Sequence, residues 1–196
     1  IDKNSYDAIE MFARGGKGII ISNHKSGVFS DYLPLFATLG DDILKKCIFY
    51  TGSYNRAMNQ REFPDYVFRP ATLRTRKDVI DLKDQLKNDI DYVNNNGGYI
   101  FIIPPGANIS EDAEFQALFQ RIIKGSEDNL SLLVNYIEHD SIRGYKQIAQ
   151  SIIGSSTPSK TIITSKLQSV KDWKDNNGNV MKGDEMRKKY NTDMKG

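Results

Sequence analysis

Gly18-Ile19-Ile20-Ile21-Ser22-Asn23-His24-Lys25-Ser26-Gly27-Val28-Phe29-Ser30-Asp31 decides how the chain is read. An apolar run of strand length gives way to a polar loop, and the loop puts one of only two histidines at the strand's end. A carboxylate, Asp31, follows. An imidazole in that place with a carboxylate close downstream is the basic arrangement for removing a proton from a hydroxyl nucleophile.

Outward from this stretch, apolar runs of strand length alternate with segments of helical period. That alternation predicts an α/β fold, a single domain with a mostly parallel central sheet flanked by helices. Strands are expected near 18–22, 47–51, 66–69, 99–103, 130–137 and 161–170. In the helix expected over 76–95, Val79, Leu82, Leu86, Ile90 and Val93 recur at intervals of three and four and form one apolar stripe. Asn94-Asn-Asn-Gly-Gly98 ends it. A second helix, over 111–124, carries Phe115, Leu118, Phe119, Ile122 and Ile123 on one face, with Ser110 as N-cap and Gly125 just past its end. Asp31 to Gly40 reads as a further helix with Asp31 as its N-cap, because Pro34 then falls in the first turn, where a missing N–H is harmless. Asp2 to Arg14 is a short helix, and Gly15-Gly-Lys-Gly18 is the turn into the first strand. It is not a phosphate-binding Walker loop, since no helix opening with Gly-Lys-Ser/Thr follows it. The chain is expected to be one domain over 1–196, with 171–196 an appendage on the same core.

Composition narrows the function. With 27 basic against 25 acidic side chains, the formal charge is +2, too slight to imply a nucleic-acid partner. The lone cysteine, Cys47, rules out an internal disulfide framework and a multi-cysteine zinc site, and its apolar setting suits an inert strand residue. No apolar run approaches the roughly 20 residues of a membrane-spanning helix. The protein is therefore expected in the cytoplasm, with any contact at the inner face of the membrane made peripherally through a surface patch or a partner. The start at Ile1 leaves room for a preceding segment.

The motifs, taken in order, resemble those of the glycerolipid and lysophospholipid acyltransferase superfamily, the PlsC-like enzymes. Asn23-His24-Lys-Ser26 after its strand resembles the family's first block, and Phe68-Arg69 the end of the second. Tyr99-Ile-Phe-Ile-Ile-Pro104-Pro105-Gly106 is similar to the third block, and Leu132-Leu-Val134-Asn-Tyr136 to the weak fourth. The likeness spans roughly residues 15–137. It departs from the family pattern in a longer gap between His24 and Asp31 and in Pro105, which stands where the family carries a glutamate. The resemblance implies an acyltransferase-like fold and transfer of an acyl chain from a thioester donor, acyl-CoA or acyl carrier protein, to a hydroxyl of a lipid or other phosphate-bearing acceptor. No cofactor and no metal are implied. It further implies His24 as general base, Asp31 as its orienting carboxylate, and Ser26, Arg69, Arg74, Pro105 and Gly106 as substrate-binding residues, with Arg69 on the acceptor's phosphate.

Plainer roles compete at each position. His24 could be a loop histidine satisfied by a backbone partner, Asp31 only a helix cap, the cluster of Arg69, Arg74 and Arg76 a solvated basic face, and Pro104-Pro105-Gly106 a rigid turn. A non-catalytic protein that keeps the scaffold to bind a lipid or acyl carrier is the main alternative. An α/β hydrolase is disfavoured by the lack of a Gly-x-Ser-x-Gly elbow. His139, within Glu138-His-Asp-Ser141, cannot fold onto its own neighbours as a catalytic triad. Trp173 is expected to pack.

Overall fold

A computed structural model describes residues 1–23, 28–51, 65–70, 76–103, 113–139 and 161–195, with the backbone alone at 28–33, 76–81, 113–115, 139, 187, 191, 194 and 195. Among these residues, six strands form one sheet: β1 (Lys17–Ser22), β2 (Cys47–Thr51), β3 (Val67–Pro70), β4 (Gly98–Ile102), β5 (Ser131–His139) and β6 (Thr161–Ser169). Their order is β3-β2-β4-β1-β5-β6. Every pairing is parallel except that of β6 with β5. The helices are α1 (Lys3–Gly15), α2 (Val28–Leu39), α3 (Asp41–Leu44), α4 (Arg76–Asn96), α5 (Ala113–Gly125) and α6 (Gly183–Lys195), with a 3-10 turn at Val170–Trp173. The mostly parallel α/β architecture expected from the sequence is present, and the strand bounds fall within one or two residues of the apolar runs.

Parallel strands with helices on both faces must be apolar on both faces, and the side chains sort accordingly. Ile19, Ile21, Ile100, Ile102, Leu132 and Val134 meet α4 and α5. Ile20, Phe49, Phe101 and Leu133 face α1, α2 and α3. The stripe Leu82, Leu86, Ile90 and Val93 of α4 is buried as its spacing requires. The path across the sheet explains which helix covers which face. From β1 to β2 the chain steps two strands one way with α2 and α3 on one face; from β3 to β4 and from β4 to β5 it steps back with α4 and α5 on the other. A single crossover hand demands this reversal.

The C-terminal stretch packs on the same core. Trp173 is 1% exposed, edge-on to Phe119 at 5.0 Å, and Met186 and Tyr190 join the cluster under α4 and α5. Trp173 is thus a packing residue. Cys47 is buried, and burial pushes its thiol far above the ordinary range, so it is inert at neutral pH.

One local expectation fails. Helix α2 starts at Val28, so Asp31 lies inside it and is not its N-cap, and Pro34 stands in the helix interior. An interior proline costs about 3 kcal/mol. Burial of Leu35 and Leu39, at 0% and 5% exposure, returns about 1.5–3 kcal/mol each, and Phe36 adds edge contacts to Phe49 and Phe101. Packing outweighs the proline, and Thr38 Oγ1 turns back to donate to the Pro34 carbonyl at 2.8 Å.

Gly18 is the tightest point of the sheet. A Cβ there would collide with the Phe12 ring of α1 and come within 2.6 Å of the Ser131 carbonyl oxygen of β5. Gly18→Ala is therefore expected to destabilise the protein by about 2 kcal/mol or more in urea unfolding, whereas Gly16→Ala is limited to the strain of its left-handed backbone (φ 70°) with nothing to strike.

Candidate functional site

Strands β1 and β4 lie side by side, Ile21 opposite Ile102, yet their exits diverge. The chain leaving β1 goes to α2 on one face, and the chain leaving β4 goes to α5 on the other. In an open α/β sheet, such a reversal opens a crevice outside the carboxyl ends of the two strands, where ligands bind. Asn23 and Ile103, the last described residues after these strands, stand at its margin. The motif residues follow directly: His24 comes next after Asn23, and Pro104, Pro105 and Gly106 come next after Ile103.

His24, Ser26, Arg74, Pro105 and Gly106 lie outside the described residues, as does the side chain of Asp31. The backbone of Asp31 falls in the first turn of α2, three residues after Val28. That leaves only Lys25, Ser26 and Gly27 between His24 and the helix.

The residue before His24 is firmly held. The β1–β5 ladder ends at Ser22 opposite Asn135, and side chains continue it. The amide of Asn23 takes both backbone groups of Ile137, donating to its carbonyl at 2.9 Å and accepting its N–H at 2.6 Å. Two residues earlier on β5, Asn135 Nδ2 donates to the Ile21 carbonyl at 3.1 Å and Oδ1 accepts from the Ser165 hydroxyl at 2.7 Å. Tyr190 of α6 donates its hydroxyl to the Asn135 carbonyl at 2.8 Å. Burial holds this phenol far above its usual pKa, so it remains a donor. The residue immediately before His24 in sequence is thus a buried anchor. Sequence reading had not singled out Asn23 or Asn135 for this purpose; the available signal was a polar amide within or at the end of an otherwise apolar strand.

Thr51, at the carboxyl end of β2, was also missed. It is fully buried, and its hydroxyl has no hydrogen-bond partner among the described residues. Leaving such a group unpaired costs about 1–3 kcal/mol, and it sits at the same edge of the sheet as Ile103.

Arg69 is the predicted binding residue whose side chain is described, and it is already engaged. Its Nε donates to Asp89 Oδ2 of α4 at 3.1 Å, with Nη2 3.5 Å from Oδ1. The Tyr50 hydroxyl donates to the same Oδ2 at 2.7 Å. Burial first, then the neighbouring carboxylate, pushes the Tyr50 phenol far above its ordinary pKa and keeps the proton on it. Arg69, Asp89 and Tyr50 form a largely buried unit on the α4 face, with Tyr50 and Arg69 paired one residue before the carboxyl ends of β2 and β3. The signal for it was Asp89 itself, a carboxylate set among Leu82, Leu86, Ile90 and Val93 on the apolar stripe.

Replacing Asn23 with Leu keeps the volume and removes both partners of Ile137. The variant is expected to lose about 2–4 kcal/mol of stability in urea unfolding, from two buried backbone groups left unpaired; hydrogen exchange at Ile137 should rise with it.

No family model matches the chain, and neither a search of curated proteins nor a search of solved structures finds a match.

Proposed function

We propose that the protein is an acyltransferase of the acyltransferase-like fold class, moving an acyl chain from a thioester to the hydroxyl of a phosphate-bearing, glycerolipid-type acceptor. The observation that carries the reading is the reversal of topology between β1 and β4. It supports a site in which the loop of His24, the first turn of α2 with Asp31, and the segment Pro104–Gly106 border one crevice.

In this reading His24 takes the proton of the acceptor hydroxyl. The oxygen attacks the thioester carbonyl, the carbon–sulfur bond breaks, and the imidazolium returns the proton to the leaving thiolate. Asp31 stabilises the imidazolium and fixes its tautomer. Backbone N–H groups from Gly106 to Asn108 meet the developing oxyanion, because Pro104 and Pro105 have none to give. Ser26 contacts substrate beside the base. Since Asp89 holds Arg69 on the α4 face, the acceptor's phosphate is assigned to Arg74, which suits charge-assisted bonding. No helix among the described residues is long and apolar enough to cross a membrane, so contact with a lipid acceptor is assigned to a peripheral surface.

Pro105 in place of the family's glutamate favours one second reading, a non-catalytic protein that retains a lipid or acyl carrier. Native mass spectrometry showing a bound acyl ligand without turnover would support it. The acyltransferase reading predicts thiol release from an acyl-CoA panel that depends on a hydroxyl acceptor and falls about 10²–10⁴-fold in His24→Ala. Equal turnover by that variant would overturn the mechanism.

A further inference from the structure

A groove of about 630 Å³ lies away from the carboxyl edge, between α4 and the amino ends of β2 and β4, with edge strand β3 as its far wall. Its charge is one-sided. Lys45 and Lys46 enter it from the turn before β2, Arg69 enters from β3, and Asp89 is the carboxylate among the lining residues. Asp89 is already neutralised by Arg69 and bonded by Tyr50. Among the described residues Lys45 has only a long, exposed pair with Asp41 at 3.7 Å, and such pairs contribute little. Lys46 has no ion pair among the described residues. Lys46 therefore faces the groove without an ion-pair partner among the described residues, and Lys45 with only this weak one.

The rest of the lining suits an organic body attached to an anion. Ile48 and Val67 supply an apolar wall, and Asn88 and Asn96 supply amides. Tyr92 stands at the mouth with its residue 55% exposed, and Val67 is 40% exposed. An exposed aromatic ring and an apolar wall next to two exposed lysines form a concave, mixed surface of the kind that binds small molecules. Arg69, fixed by Asp89, is preorganised and retains N–H donors beyond those it gives to the carboxylate.

From these features we propose that the groove is a second ligand site, independent of the carboxyl edge, which binds a phosphorylated small molecule carrying a ring. The phosphate meets Lys46, Lys45 and the outward N–H groups of Arg69, and the ring lies between Tyr92 and the Ile48–Val67 wall.

The test is an NMR titration of the full chain, labelled with nitrogen-15, using phenyl phosphate and, separately, inorganic phosphate at low ionic strength. The expected result is saturable shifts at the amides of Lys46, Ile48, Val67 and Tyr92, with phenyl phosphate binding more tightly than inorganic phosphate. Lys46→Glu, an exposed substitution, should weaken binding at least tenfold, while Lys3→Glu on α1 should leave it unchanged. Absence of saturable shifts, shifts confined to Asn23 and Ile103 at the carboxyl edge, equal affinity for inorganic phosphate, or indifference to Lys46→Glu would each overturn the proposal. Because the readout involves no thioester chemistry, it stands or falls separately from the acyltransferase reading.

Discussion

The close pairing of β1 between β4 and β5 is the constraint on which the rest depends. Gly18 lets α1 and β5 approach β1 so tightly that no side chain fits there, and Ile19, Ile20 and Ile21 are buried on alternating faces. This fixes the strand at the centre of the sheet, where the chain leaving β1 and the chain leaving β4 run to helices on opposite faces. The crevice at the carboxyl edge follows from that topology rather than from any one residue. The segment that starts at His24 follows directly on that strand in sequence.

The same sheet separates two kinds of polar work. Toward the carboxyl end of β1, the amides of Asn23 and Asn135 replace ladder bonds and leave the strand end rigid. On the α4 face, a single buried carboxylate, Asp89, holds a guanidinium and a phenol together. A buried pair of this sort gains less from Coulomb attraction than from having every lone pair met, because desolvation offsets most of the charge interaction. Its effect is geometric: it holds Arg69 toward α4, in the wall of the groove that Lys45 and Lys46 also line.

Much of the fold was legible in the sequence because its signals are local. The isoleucine run of β1, the Tyr99 to Ile103 run of β4 and the stripe of α4 each carry their own period. The start of α2 was not legible. Pro34 argued for a helix beginning at Asp31, but the gain from burying Leu35 and Leu39 belongs to tertiary packing, which exceeds the local cost of a proline. The site was legible as a motif, through His24 at a strand end, and not as a network. Arg69 and Asp89 are 20 residues apart, and Asn23 and Ile137 are 114 apart; no local spacing announces either pair. Asp89 on an apolar stripe and Asn135 inside an apolar strand were visible anomalies, though their partners depended on the order of strands.

The central claim is that the carboxyl edge poises His24 as a base against Asp31. The most direct measurement is the imidazole pKa of His24 by NMR in the native protein and in Asp31→Asn. A facing carboxylate should hold that pKa above the ordinary value of roughly 6.5, and removing its charge should bring it down. The same pKa in both proteins would mean that the two side chains do not interact, which would contradict the account.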